Sequence, residues 1–497
     1  MIKRYLICCS ARRALMLGLV AAALTTLALV AYLRSESGLP VRLRLSEPDI
    51  PHPIPHSPSL PDPDSLSQPF AQESDSPQPQ PWSQEDDAGL RVLQHTKVPG
   101  GAHIHGFTVL DKLYLRNGTF YVVTPDRASL PPRNRLLSRP VEREGGAKYE
   151  PSDEHLQYIH PDEAADVLGE CITQVDGLSV IVYDPAQFMK HFYHWFGEII
   201  LGAWRVYSHI LLDGEITVLP LPRRFILPFI TNEEWRDKAG VDGPLMRAAF
   251  PDAAIEQAPY WNDLAKLGTT VVFERVLLVS RSSAHTHPFG SKWFKMIAGT
   301  MELPAPPDFW APVRESVWQN ILGPGGVSQA AARRPLVTYV SRQASGRRLV
   351  AEDHDALVEA LSELEADGVC DFKLAAFERM SLREQVGLVA RTTIMVGVHG
   401  NGLTHQLWMP SSPLSTTIEI FVPKGYVFDY ELLARNMGHR HYAVWNDTFL
   451  TYEPGTYHEG VQYPNGFHGQ MIPVHGPTIA EIIRRRLDEP PVTQVTL

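Results

Sequence analysis

The chain has 497 residues, of which 44% are hydrophobic and 20% are charged, so it is long enough for two or three domains with packed cores. Its 56 acidic residues outnumber its 45 basic residues, giving a formal net charge of −11. This balance argues against nucleic-acid binding, because such proteins neutralise phosphates with lysine and arginine. Only four cysteines are present, which excludes a small disulfide scaffold and zinc sites built from several cysteines.

An uncharged stretch at residues 14–33 is long enough to cross a bilayer as a helix. Several basic residues precede it, whereas only Arg34 follows directly. The positive-inside rule then keeps residues 1–13 in the cytoplasm and sends the rest of the chain to the lumen. A cleaved signal peptide is the alternative, although its apolar core is usually shorter. The sequence therefore predicts a single-pass type II protein of the Golgi or endoplasmic reticulum membrane.

Residues 34–88 are predicted to form a disordered stem, because residues 40–84 contain 12 prolines among mostly polar residues and cannot bury enough apolar surface to fold.

Two glycosylation sequons, at Asn117 and Asn446, fit a lumenal body. The Asn117-Gly118 pair also predicts a hairpin turn, which would expose the first sequon. The lumenal cysteines, Cys171 and Cys370, could pair or remain free thiols.

The body divides into two predicted domains, residues 89–330 and 331–497. In the first, a strand at residues 178–183 precedes a long helix at residues 188–209, and irregular, proline-rich sequence at residues 304–335 suggests a hinge. In the second, strands alternate with helices and a helix closes the chain. This alternation predicts an α/β fold with a parallel sheet, whose ligands bind at the carboxyl ends of the strands.

The helix at residues 188–209 is apolar around most of its circumference and is therefore expected to be buried. A narrow polar stripe falls within about 60° on it. It consists of His191, His194, Glu198, Arg205 and His209. A His–carboxylate pair four residues apart can act as a general base with an orienting partner. An ordinary solvent-facing strip is the alternative interpretation.

Glycines at residues 397–402 (GVHGNG) lie between a predicted strand and a helix, where backbone N–H groups can approach an anion. Arg342, Arg347 and Arg348 follow another strand, in a place suited to clamping a diphosphate. Glu419 lies in an otherwise apolar strand and needs a partner, for which a ribose diol is one candidate. The alternative interpretation of the glycines is a tight turn, and that of the arginines is a solvated basic loop.

The pattern Asp353-His354-Asp355 has the Asp-x-Asp form of metal-chelating sugar-nucleotide enzymes. It lies, however, in the first turn of an amphipathic helix, where acidic residues favour the helix dipole without a ligand. No metal site is therefore predicted.

Three ordered blocks together resemble glycosyltransferase family 61. They are residues 192–198 (FYHWFGE), residues 339–353 with Ser-Arg, Arg-Arg and Glu-Asp pairs, and residues 397–421 with GVHGNGLT and IEIF.

The resemblance implies two Rossmann-like domains facing across a cleft (the GT-B arrangement), a UDP-sugar donor and inversion at the anomeric carbon. It implies that His194 faces the cleft from the other domain. We assign His194, supported by Glu198, the role of the base that deprotonates the acceptor hydroxyl. The donor would be held by Arg342, Arg347, His399, Gly400, Asn401 and Gly402, with Glu419 near the ribose. Asn401 replaces an alanine common in the family.

The expected function is transfer of xylose or N-acetylglucosamine from a UDP-sugar to a glycan hydroxyl of a glycoprotein or polysaccharide. Protein groups would stabilise the leaving UDP, so no cofactor is required and a divalent cation is optional. Two alternatives remain: a non-catalytic glycan-binding membrane protein on the same fold, and a metal-dependent enzyme using Asp353 and Asp355.

Overall fold

A computed structural model describes residues 93–144, 148–325, 334–452, 456 and 468–489. The predicted tail, anchor and stem at residues 1–88 lie outside the described residues. Within the described part of the chain, no helix is long and apolar enough to cross a membrane.

The first sheet has the strand order β4-β3-β2-β8-β5-β6-β7, with β1 paired to β2. The segment β8-β5-β6-β7 is parallel, whereas β2 runs antiparallel to β1, β3 and β8. The predicted Asn117-Gly118 hairpin is confirmed and joins β2 to β3. The strands are β1 (His103–Ile104), β2 (Phe107–Arg116), β3 (Thr119–Val123), β4 (Leu156–Ile159), β5 (Ile172–Val182), β6 (Arg224–Ile226), β7 (Ala254–Glu256) and β8 (Thr270–Val279).

The second sheet has the order β10-β9-β11-β12-β13-β14, and its first five strands are parallel, as the alternation of strands and helices predicted. The antiparallel edge strand β14 was not anticipated. The strands are β9 (Leu336–Val340), β10 (Asp371–Ala375), β11 (Thr392–Val398), β12 (Thr416–Ile420), β13 (Arg440–Trp445) and β14 (Thr448–Thr451).

Helices cover both sheets, giving a mixed α/β structure with two parallel-rich sheets, consistent with a Rossmann-like fold. The α-helices are α1 (Arg133–Leu136), α2 (Pro161–Leu168), α3 (Leu201–Ser208), α4 (Asp242–Ala249), α5 (Ala258–Lys266), α6 (Arg281–Ala284), α7 (Pro288–Trp293), α8 (Ala311–Leu322), α9 (Ala351–Ala366), α10 (Leu382–Val389), α11 (Asp429–Met437) and α12 (Gly476–Asp488). A π-helix (Tyr193–Ile200) runs directly into α3, and a 3₁₀-helix (Asn401–Trp408) follows β11.

Two predicted segments differ from the structure. Phe188 was expected to begin the long helix, but its φ of 68° is left-handed and its side chain is 47% exposed; the helical turns begin only near Tyr193. The irregular hinge expected at residues 304–335 contains α8. A proline in the first turn is compatible with a helix, so the proline content did not exclude one.

One hydrophobic core contacts both sheets. Phe196 from the π-helix packs on Trp408 with ring centroids 5.5 Å apart, and the indole N–H of Trp310 donates to the carbonyl of Leu407 at 3.0 Å. The loops that follow the parallel strands of both sheets are thereby brought next to one another.

Both sequon asparagines are exposed in turns with positive φ, 51° for Asn117 and 52° for Asn446. Cys171 is exposed and Cys370 is buried, and both are free thiols.

A pH dependence of stability is expected from Asp242 at the start of α4. This side chain is fully buried, and neither carboxyl oxygen has a hydrogen-bond partner among the described residues. Burial, together with the neighbouring Asp237, raises its pKa from 3.8 to about 9. The folded chain therefore keeps a proton that the unfolded chain releases above pH 4, and stability falls as the pH rises from 4 towards 9.

Asp242→Asn should remove this loss of stability at high pH. We expect its melting temperature to exceed that of the unsubstituted chain by at least ~2 °C at pH 8, with a smaller difference at pH 5. Asp252→Asn, at an exposed aspartate, is the control. An equal effect of Asp242→Asn at both pH values would show that this carboxyl is ionised in the folded chain.

Candidate active site

The first part of the site is an imidazole–carboxylate pair on the π-helix. His194 Nδ1 lies 2.6 Å from Glu198 Oε2, and the His194 side chain keeps 22% of its surface exposed while that of Glu198 keeps 1%. With Nδ1–H donating to the carboxylate, His194 Nε2 carries the lone pair and is the nitrogen left to accept a proton.

Glu198 is also held by a cation, Arg281, which follows β8. Arg281 Nη1 donates to Glu198 Oε2 at 2.7 Å, and the backbone N–H of Arg281 donates to Asp184 Oδ2 at 2.7 Å. Burial opposes ionisation of Glu198, but Arg281 and His194 outweigh it and hold its pKa well below the usual range. Glu198 is thus an ionised carboxylate that orients His194.

The glycine turn after β11 packs on Arg342, which follows β9. Arg342 Nη1 donates to the carbonyl of His399 at 3.1 Å. Gly400 has a φ of 154°, and a Cβ at this position would overlap Arg342 Nη1. A Cβ at Gly402 would lie 3.0 Å from Val340 Cγ1. Both glycines therefore allow a close approach that a side chain would prevent.

Glu419 is fully buried between two histidines. Its Oε1 contacts His399 Nδ1, and its Oε2 lies 2.8 Å from His441 Nε2. Burial, with Asp429 and Glu431 adding to it, raises the pKa of Glu419 well above its usual range. A neutral carboxyl can donate to one imidazole and accept from the other, so both of its oxygens are used inside the protein.

His399 lies in a positive environment. Burial lowers its pKa to about 3; Asp429 opposes this shift, while Arg347, Lys295 and Arg342 add to it. The imidazole is only 3% exposed. It is therefore neutral and faces Glu419 on one side and, at 3.9 Å from Nε2, Asp429 Oδ2 on the other.

The residues that link these two parts were not predicted from the sequence. Lys295 forms an ion pair with Asp429, and its Nζ lies 5.9 Å from the centroid of the Tyr193 ring. Burial would lower the pKa of Lys295, but Asp429 and Glu198 outweigh it and raise the pKa. Arg281 could have been found, because it follows β8 as Arg342 follows β9; Lys295 has no comparable signal.

The two parts of the site touch each other directly. The backbone N–H of Tyr193 donates to Asn401 Oδ1 at 3.1 Å. His194 therefore follows a residue that is bonded to the glycine turn, and the structure brings His194, Glu198, Gly400, Asn401 and Arg342 together.

The ring of His191 lies 5.1 Å from that of His194, but the last two residues of the predicted polar stripe lie elsewhere. Arg205 donates to the carbonyls of Thr300 and Leu303, and His209 Nδ1 lies 2.8 Å from the carbonyl of Pro304. The stripe is thus not one surface, because the π-helical turns at its start do not advance by the 100° per residue assumed for it.

Asp353, from the discounted metal motif, accepts a hydrogen bond from the backbone N–H of Val474 at 3.0 Å. Among the described residues, no group of three or more His, Cys, Asp or Glu side chains could hold a metal ion.

A cavity of about 530 Å³ lies apart from this site. It is lined in part by His439, Arg440 and His441 at the start of β13, the opposite end of the parallel strands from the glycine turn. His441 connects it to Glu419, but none of His194, Arg342 and Gly400 lines it.

Comparisons with known proteins agree with the sequence motifs. The family model described as Glycosyltransferase 61 matches residues 192–417. An EGF domain-specific O-linked N-acetylglucosamine transferase from Drosophila melanogaster is 32% identical over 126 residues, which is 25% of this chain and 22% of the relative. The chain therefore matches about a fifth of the length of that relative.

The neutral state of Glu419 can be tested by substitution. Glu419→Gln keeps one donor and one acceptor for the two histidines, so it should cost at most about 1 kcal/mol of unfolding free energy. Glu419→Leu removes both hydrogen bonds and should cost about 2–4 kcal/mol. Denaturant unfolding at pH 7 compares them. If glutamine is as destabilising as leucine, the carboxyl is ionised and its assignment here is wrong.

Proposed function

Since the chain is a family-61 glycosyltransferase, as its motifs predicted, we propose that it transfers a sugar from a UDP-sugar to a hydroxyl of a glycan or glycoprotein. One observation carries the proposal: a carboxylate-supported imidazole lies beside a glycine turn packed on an arginine. The imidazole can act as a general base, and the glycine turn with its arginine can bind a diphosphate.

The donor would bind where the segments that follow β9 and β11 present cations and backbone amides. Burial is the main cause that lowers the pKa of Arg342, and the charge of Arg347 lowers it further. The two guanidinium groups repel each other. A diphosphate bound between them would relieve that repulsion. N–H groups at the start of the 3₁₀-helix (Asn401–Trp408) add donors directed at an anion. These groups would stabilise the charge that develops on the departing UDP.

Two donor-site assignments change with the observed contacts. Glu419 has both oxygens engaged by histidines, so we assign it to holding His399 instead of contacting ribose. His399 offers its carbonyl to Arg342, so we assign it to fixing the position of that guanidinium.

The acceptor would be activated by His194. Its Nε2 would take the proton of the acceptor hydroxyl, whose oxygen forms a bond to the anomeric carbon as the bond from that carbon to the UDP oxygen breaks. Displacement from the opposite face inverts the anomeric centre. Glu198, itself held by Arg281, would orient the imidazole, and its negative charge would stabilise the protonated form.

Several wider features belong to the same proposal. The two sheets would form the facing domains of a GT-B enzyme, divided near residue 330. Because protein cations face the leaving group, a divalent cation would be optional. Residues 14–33 would anchor the chain as a type II protein of the Golgi or endoplasmic reticulum, with the body in the lumen.

The donor sugar is chosen from two candidates. The relative is named for N-acetylglucosamine transfer, so UDP-N-acetylglucosamine is the first donor to test and UDP-xylose is the second. The alternative function is glycan binding without turnover. Transfer or hydrolysis of either donor by the purified full-length chain, assayed with and without EDTA, separates the two functions.

His194→Ala should reduce kcat by about 10²–10⁴-fold, because it removes the base, while UDP affinity measured by calorimetry stays near that of the unsubstituted chain. His209→Ala, at a histidine bonded to the Pro304 carbonyl, is the matched control and should retain activity. A loss of UDP affinity in His194→Ala would place His194 in the donor site, and unchanged turnover would remove it from catalysis.

Gly400→Ala should weaken UDP binding by at least about tenfold, because the new Cβ displaces the Arg342 guanidinium and its charge-assisted bonds to the donor. Gly346→Ala is the control from the Arg342–Arg347 loop, where a Cβ meets no atom within 4 Å. Equal UDP affinities for the two variants would show that Arg342 does not hold the diphosphate.

A further inference from the structure

Asn401 joins the glycine turn to the helix that carries the candidate base. Its Oδ1 accepts the backbone N–H of Tyr193 at 3.1 Å, across 208 residues of sequence, and the Thr404 hydroxyl at 3.3 Å. Asn401 is half-buried and lies between Gly400 and Gly402. Its side chain is therefore directed at the π-helix, although the residue belongs to the turn.

The hydrogen bond from Tyr193 to Asn401 caps the start of the π-helix. The first N–H groups of a helix have no partner within that helix, and Phe192, which precedes the first turn, provides no side-chain cap. Asn401 supplies a cap from the second sheet. Because the capped N–H belongs to Tyr193, the bond fixes the backbone immediately before His194.

The Tyr193 side chain is also fixed. It is 1% exposed and packs on Tyr430 with ring centroids 5.4 Å apart. Asn401 thus holds the N–H of Tyr193 and Tyr430 holds its ring. The start of the π-helix therefore follows the position of the glycine turn. A shift of that turn would therefore move His194.

We propose that Asn401 is a positioning residue that couples the donor turn to the candidate base, so that the bound diphosphate and the imidazole are held in register through one hydrogen bond. This inference rests on the proposed function. It assigns Asn401 a role in orienting His194 instead of a direct contact to the donor. Misplacement of a catalytic group by about 1 Å can cost about 10²-fold in rate.

A merely structural bond between the sheets provides the comparison. The Thr300 hydroxyl donates to Asn436 Oδ1 at 3.1 Å, across 136 residues, and both residues are buried. This bond likewise ties the loops of the first sheet to a helix of the second. Asn436 lies near the end of α11 and contacts none of the site residues described above, so its loss should lower stability without affecting the base.

The experiment measures kcat and KM for hydrolysis of UDP-N-acetylglucosamine or UDP-xylose by the full-length chain, together with UDP affinity and melting temperature. Asn401→Ala should lower kcat by about 10–100-fold, with KM and UDP affinity changed by less than about threefold. Asn401→Asp keeps the acceptor oxygen and should keep kcat within about threefold. Its added negative charge at the turn should weaken UDP binding. Asn436→Ala should lower the melting temperature with kcat within about twofold.

The inference is overturned if Asn401→Ala lowers kcat no more than Asn436→Ala does, or if the alanine and aspartate variants lose kcat equally. If Asn401→Ala does not fold, the aspartate variant decides: unchanged kcat with weakened UDP binding supports the inference, and lost kcat overturns it. Failure of the proposed function is distinguishable, because His194→Ala would then turn over donor at the normal rate.

Discussion

The site depends on one buried carboxylate, that of Glu198, which contacts two partners through the same oxygen, Oε2. Burial alone would favour the neutral acid; Arg281 and His194 reverse this and keep the charge. Removing either partner would leave a buried charge with less compensation, which typically costs several kcal/mol. The orientation of the His194 imidazole is therefore held by groups of the protein itself and does not require a substrate.

A contrasting arrangement supports the other half of the site. Around Glu419 burial prevails, so the carboxyl and His399 are both neutral, and Glu419 also contacts His441. An ionic group thus holds the imidazole that would exchange a proton, whereas a neutral group holds the turn that would meet an anion. A fixed negative charge behind that turn would oppose a diphosphate, and the neutral state of Glu419 avoids it.

Much of this could be predicted from the sequence, because it depends on local patterns. Alternating strands and helices predicted the second sheet, and the four-residue spacing predicted contact between His194 and Glu198. Burial of Glu198 and the direction of Asn401 could not be predicted, since both are set by residues far along the chain. Lys295 and Asp429 were missed for the same reason. The helix α8 was missed because prolines were interpreted as irregular structure.

The central claim is that the diphosphate of a nucleotide donor lies between the glycine turn and His194. A crystal structure of the chain with UDP tests it most directly. The account predicts the diphosphate at Gly400–Gly402, bonded to the Arg342 guanidinium. The terminal phosphate should lie close enough to His194 Nε2 that a single sugar ring fills the space between them. A diphosphate bound in the cavity beside Arg440, or turned away from His194, would contradict it.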